Sequence, residues 1–111
     1  MHEYSIIQSL VDSVASSVPR DATVHRLEVR IGELAGVDCE LLATAYEVFR
    51  AGTLCEHATM TISRIPARWE CEKCNGEINR GAVLRCPLCD APARLATGDE
   101  IVLQRIELEV A

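Results

Sequence analysis

Apolar residues recur at helical spacing early in the chain. Ile6, Ile7, Leu10, Val11, Val14, Ala15 and Val18 form one stripe, with Gln8, Asp12, Ser13 and Ser16 opposite, which predicts an amphipathic helix over 4–18. Glu3 sits where a carboxylate favours the helix dipole, and Pro19 and Asp21 break the pattern. The period then switches to two. Leu27, Val29 and Ile31 alternate with Arg26, Glu28 and Arg30, predicting a half-buried strand over 23–34 with His25 on the apolar face near its start. Gly32 and Gly36 bracket a turn. Asp38 is placed as the N-cap of a second helix running to about Arg50, whose apolar face is Leu41, Leu42, Ala45, Tyr46 and Phe49, with Gly52 to end it. A second strand is expected over 58–65 with Met60 and Ile62 inward, stopped by Pro66. A third over 100–110 carries Val102, Ile106, Leu108 and Val110 on one face, with Ile101 and Leu103 more buried near its start. The expected fold class is α+β, two helices on a small three-stranded sheet.

Between the second and third of these strands the periodicity stops and cysteine takes over. Cys71-Glu-Lys-Cys74 and Cys86-Pro-Leu-Cys89 are two pairs separated by eleven residues. A two-residue gap lets both sulfurs of a pair point into one turn, and four thiolates close a tetrahedral site that suits zinc. Two disulfides would need an oxidising compartment. The Cys86-Pro-Leu-Cys89 stretch also resembles a rubredoxin knuckle, so iron stays open beside zinc. Each knuckle needs a left-handed residue after its second cysteine, and Asn75 and Asp90 stand there, two residue types that tolerate that region. The expected division is a domain of residues 1–66 plus 98–111 and a zinc-binding domain of 67–97.

Composition narrows the function classes. The 111 residues are 49% hydrophobic but only 4% aromatic, so the core is aliphatic and small, and a metal staple helps it. Formal charge is −6, and four thiolates around one divalent ion add about −2 more. Such a chain is a poor match for polyphosphate, which disfavours a nucleic-acid-binding ribbon. No apolar stretch is long enough to span a membrane, and His2 and Glu3 occupy the place of a basic signal-peptide start. The expected location is the cytoplasm. No nucleophile–base set, carboxylate pair or phosphate loop is evident, so an enzyme is not expected and no residue is assigned as catalytic.

A closed four-cysteine site holds a shape, since catalytic zinc keeps a position open. A second candidate is the terminus, Met1-His2-Glu3. A free α-amine, the His2 imidazole and the backbone nitrogen between them can form fused chelate rings, and the Glu3 amide completes four nitrogens. A square-planar nitrogen set suits Ni(II) or Cu(II). The same residues fit an ordinary frayed terminus, and the pattern alone leaves both readings open. Cys39 and Cys55 read as small core residues, with a Cys55/His57 pair conceivable.

Over nearly its whole length the chain resembles the HypA/HybF family of hydrogenase nickel incorporation proteins. The resemblance is carried by Met1-His2-Glu3-Tyr4-Ser5-Ile6, by Ile31-Gly32-Glu33-Leu34-Ala35-Gly36-Val37, by Gly52-Thr53 with Glu56-His57-Ala58, by both cysteine pairs and by Gly98-Asp99-Glu100. It implies a nickel metallochaperone that works with the GTPase HypB and delivers Ni(II) to the large-subunit precursor of [NiFe]-hydrogenase, in some organisms also serving urease. The implied nickel residues are Met1, His2 and Glu3, and the implied zinc ligands are Cys71, Cys74, Cys86 and Cys89. One departure from many relatives is that Asn75 and Asp90 replace glycine after each pair. The chain is expected as a monomer or weak homodimer that binds neither nucleic acid nor membrane. An electron-transfer protein with iron in the cysteine site is the remaining alternative.

Overall fold

Residues 2–79 and 84–110 are described by a computed structural model. The elements run α1 (Glu3–Ser17), β1 (Ala22–Gly32), α2 (Cys39–Phe49), β2 (Thr59–Ile65), β3 (Arg68–Cys71), β4 (Glu77–Ile78), β5 (Ala93–Thr97) and β6 (Ile101–Val110). They make two three-stranded sheets, ordered β2-β1-β6 and β4-β3-β5. The α+β expectation of two helices on a three-stranded sheet with an inserted cysteine lobe holds.

In the first sheet β1 is central. It pairs in parallel with β2, the crossover being carried by α2, and antiparallel with β6. The apolar stripe of α1 supplies Ile7, Leu10, Val11 and Val14 to the core, α2 supplies Leu42 and Tyr46, and β1 supplies Val24, Leu27, Val29 and Ile31. Asp38 caps α2 as its sequence position predicts, its Oδ1 accepting from the Glu40 and Leu41 amides. Tyr46 is buried beneath the loop before β2, where its hydroxyl donates to the Ala58 carbonyl at 2.7 Å and lies 3.3 Å from that of Cys55.

Two expected faces come out differently. Along β6, Leu103 opposes Val29 and Arg105 opposes Glu28, so Gln104 is an extra residue. A bulge of this kind reverses the alternation. Ile101, Leu103 and Ile106 pack on the core, while Val102 lies opposite Arg30 and is 39% exposed. On α2, Leu41 is 56% exposed and does not join Leu42 and Tyr46 in the core. One face of an eleven-residue helix fits against α1 and the sheet, and Leu41 lies about 100° round from Leu42.

The two sheets meet at a junction built on glycine. A Cβ on Gly32 would lie 2.2 Å from the Gly98 carbonyl oxygen, and one on Gly98 would lie 2.6 Å from Ala67 Cα. Gly98 also has φ +114°, a backbone that side chains resist. Close approach lets the Leu34 amide reach Gly98 O at 2.6 Å, the Gly32 amide reach Glu100 O at 2.7 Å and the Ala67 amide reach the Glu33 carboxylate at 2.9 Å. The chain is elongated, 56 Å in its longest direction, with a radius of gyration of 17.9 Å against about 13 Å for a compact chain of this size.

Candidate metal centre

The β4-β3-β5 sheet delivers the cysteines. Cys71 closes β3, and β5 pairs beside it, while Arg85 bridges to Pro92 at the second knuckle. The two knuckles match bond for bond. Cys71 N–H donates to Gly76 O at 2.8 Å and Cys86 N–H to Ala91 O at 2.8 Å; Asn75 N–H donates to Cys71 O at 3.0 Å and Asp90 N–H to Cys86 O at 2.9 Å. Asn75 and Asp90 adopt the left-handed backbone expected of them, at φ 61° and 56°. Their side chains are gripped by arginines. Arg94 donates to the Asn75 amide oxygen and Arg85 to the Asp90 carboxylate. Glycine would supply the conformation but not this second attachment, which gives a physical role to the departure seen in the sequence.

The four Sγ atoms of Cys71, Cys74, Cys86 and Cys89 all lie within 4.8 Å of one another, and Cys74 and Cys86 approach to 3.8 Å. A tetrahedron with zinc–sulfur bonds of about 2.3 Å has an edge of about 3.8 Å, so the donor set fits such an ion. Backbone N–H groups aim at sulfur in both knuckles, from Lys73 and Cys74 to Cys71 Sγ and from Leu88 and Cys89 to Cys86 Sγ, each at 3.4 Å. The Cys74 amide, with that of Lys73, brings the Cys71 thiol down to about 7. The Cys89 thiol is pushed up to about 12, chiefly by its hydrogen bond with Cys74. Cys71 thus gives up its proton readily and Cys89 resists losing its own, an imbalance that a divalent cation removes by taking the place of the protons.

The terminal candidates sit at the start of α1, beside the loop that leads into α2. Met1 lies outside the described residues. His2 is exposed at the N-cap of α1 and makes no capping bond, and the helical ladder opens with Ile6 N–H donating to His2 O at 3.2 Å. The first amides of α1 therefore precede the ladder and have no place in it. Glu3 turns its carboxylate to the Asp38 backbone N–H at 3.1 Å, and this bond holds its carboxyl below the usual range. Asp38 thus anchors the start of both helices. Sequence reading found its capping role but not the contact to Glu3, which spans 35 positions and carries no local signal.

The remaining candidates are not brought together. Among the described residues the four cysteines are the one cluster of three or more side chains placed to hold a metal. Cys39 is half-buried against the core. Cys55 is fully buried, and burial pushes its thiol up, which makes it inert. His57 is exposed, and so is His25, which falls at a register shift of β1 between Val24 and Arg26 and not on the apolar face expected of it.

Residues 1–108 match the family described as hydrogenase/urease nickel incorporation, metallochaperone, hypA. The chain belongs to this family. It is 38% identical to a hydrogenase maturation factor HypA from Nitrosospira multiformis, the match covering 97% of each chain, and 42% identical to one from Deinococcus radiodurans over 93% of this chain and 89% of that one. Its fold is similar to the solution structure of the Ni metallochaperone HypA from Helicobacter pylori, with 28% identity, full coverage of both chains and a TM-score of 0.70. The family is one of nickel metallochaperones in hydrogenase maturation, not of enzymes. No described helix is long and apolar enough to cross a membrane.

Proposed function

We propose that this chain carries Ni(II) on its N-terminus and hands it over during maturation of [NiFe]-hydrogenase, while a structural Zn(II) is held by Cys71, Cys74, Cys86 and Cys89. The nickel ligands are the Met1 amine, the His2 imidazole and the first backbone amides, with the Glu3 carboxylate beside them. Partners are a HypB-type GTPase and the hydrogenase large-subunit precursor. The setting is the cytoplasm, and the chain acts as a monomer or weak homodimer. Residues 1–66 plus 98–111 form the nickel-binding domain and 67–97 the zinc-binding domain.

The observation that carries this reading is the state of the α1 start. The His2 side chain is exposed and free of a capping role, and the amides next to it lie outside the helical ladder. A planar nitrogen set can form there without breaking a single helical bond. The Glu3–Asp38 bond fixes the next residue, so the chelate is presented by a firm base and an open tip. An exposed nitrogen site releases nickel by stepwise ligand exchange, as a carrier requires.

Binding needs an unprotonated amine and imidazole and displaces amide protons, so affinity falls in mild acid. Nickel titrations of the zinc-loaded chain with a natural N-terminus test this at about pH 7.5 and about pH 6. One nickel per chain with weaker binding at the lower pH, lost in His2→Ala, is expected. Equal affinity at the two pH values, or undiminished binding in the variant, would remove the terminal site.

A further inference from the structure

Beside His2, the first turn of α1 and the outer side of α2 enclose a groove of about 490 Å³, opening to solvent. Its apolar wall is Tyr4, Leu41 and Val48, which are 51%, 56% and 65% exposed, with Ala45 and Thr44 between them. Leu41, Thr44/Ala45 and Val48 fall at i, i+3/i+4 and i+7, a second apolar stripe on α2 opposite in purpose to Leu42 and Tyr46. Only Ala45 of this stripe packs against the core, and exposing two large aliphatic side chains and a tyrosine together marks a contact surface. Tyr4 is held in place by an edge-on contact with Phe49, ring centroids 5.3 Å apart, so the wall is preformed.

The charge around the groove selects what can lie in it. The chain has 11 Lys and Arg residues, yet α1 and α2 contain none of them. The two helices carry only acids, Glu3 and Asp12 on α1 and Glu40 and Glu47 on α2. Arg50, just past α2, is committed to Glu47 at 2.8 Å and to the Ala58 carbonyl at 2.9 Å. A second copy of this chain would bring a like-charged face. An apolar stripe bordered by Glu40 and by Glu47, the latter shared with Arg50, and with no cation on either helix, is complementary to a helix that has the same stripe and a basic border.

We infer that the α1–α2 groove is the docking site for a basic amphipathic helix of a protein partner, laid along Leu41 and Val48 with its Lys and Arg residues over Glu40 and Glu47. The docked helix covers His2, so on the carrier reading above this is the face across which metal is handed over. The docking itself does not depend on that reading.

The test uses the zinc-loaded full chain, ¹⁵N-labelled, titrated with a synthetic Leu/Lys amphipathic helix of about 18 residues, five turns long. A peptide of the same composition with the period scrambled is the control. Expected are amide shifts confined to residues 2–5 and 40–48, weaker binding at high salt, and at least tenfold weaker binding to the Leu41→Ser/Val48→Ser double variant, whose changes are on the surface and leave the core intact. Glu40→Gln/Glu47→Gln is expected to weaken binding without altering the fold. Equal binding of the scrambled peptide, shifts centred on the open sheet face or the cysteine lobe, or unchanged affinity in the double variant overturns the inference. Concentration-dependent self-association abolished by Leu41→Ser/Val48→Ser assigns the groove to a second copy and overturns it as well. Nickel titration of the same samples separates the two proposals: helix binding without nickel binding sinks the carrier reading alone, and nickel binding without helix binding sinks the groove alone.

Discussion

The two lobes of this molecule are folded by different forces. The helix–sheet lobe rests on twelve buried residues drawn from α1, β1, α2 and the loop before β2, nearly all aliphatic. Among the described residues the cysteine lobe has a buried core of four, Cys71, Ile78, Cys86 and Ala91, and two of those are metal-ligand candidates. Ile78 and Ala91, with the partly buried Trp69 and Ala93, make a small apolar core, so a metal held by the cysteines is expected to supply much of the stability of this lobe. The first lobe carries its proposed metal site on its surface, where the fold does not need it. The second is built inward around its four candidate ligands. The proposed roles, a removable cargo and a permanent staple, give a reason to keep the two in different lobes.

Removing the staple should have the largest effect. Chelation of the zinc-loaded chain is expected to collapse the dispersed amide signals of residues 68–79 and 84–97, while α1 and α2 keep theirs. An intact β4-β3-β5 sheet in metal-free protein would show that its small core suffices. The junction comes next. Gly98→Ala places a Cβ into Ala67 and forces alanine to φ +114°, for an expected loss of about 3 kcal/mol in denaturant unfolding. A loss below about 0.5 kcal/mol would mean that the lobes are not held by this close approach.

A smaller effect sharpens the picture of the first lobe. Tyr46→Phe removes a buried hydroxyl bond and is expected to cost about 1 kcal/mol at neutral pH. Burial raises the Tyr46 phenol to about 12, above the ordinary value near 10. The neutral phenol is therefore the form the fold favours. Its contribution is fully present below about pH 10 and is lost as pH rises toward 12, so the gap between wild type and variant should narrow across that window. A gap constant with pH would place the cost in packing instead.

Much of this division was legible from residues alone. Period 3.6 in α1 and α2 and period 2 in β1 are strong because one face of each element is buried by the other layer. Asn75 and Asp90 announced their left-handed backbone because few other residue types adopt it. The strands of the cysteine lobe were not legible, since β3, β4 and β5 span only four, two and five residues and are set by the knuckles rather than by alternation. Val102 was placed on the wrong face because the bulge at Gln104 is a property of pairing with β1, not of β6 itself. Leu41 was assigned to the core because a helix with apolar residues on two sides does not say which side is covered. The Glu3–Asp38 bond depends on two helix starts meeting, and only the tertiary fold brings them together.

The most direct test of the division between a built-in metal and a carried one is calorimetric titration of nickel into two zinc-loaded chains. One has its natural free N-terminus, and the other is identical except that the α-amine is acetylated. The free chain is expected to bind one nickel in the micromolar range or tighter, about −8 kcal/mol, and acetylation to weaken this at least tenfold without changing the zinc content. Equal nickel binding by both chains would contradict the terminal site and with it the division of the molecule into a cargo lobe and a stapled lobe.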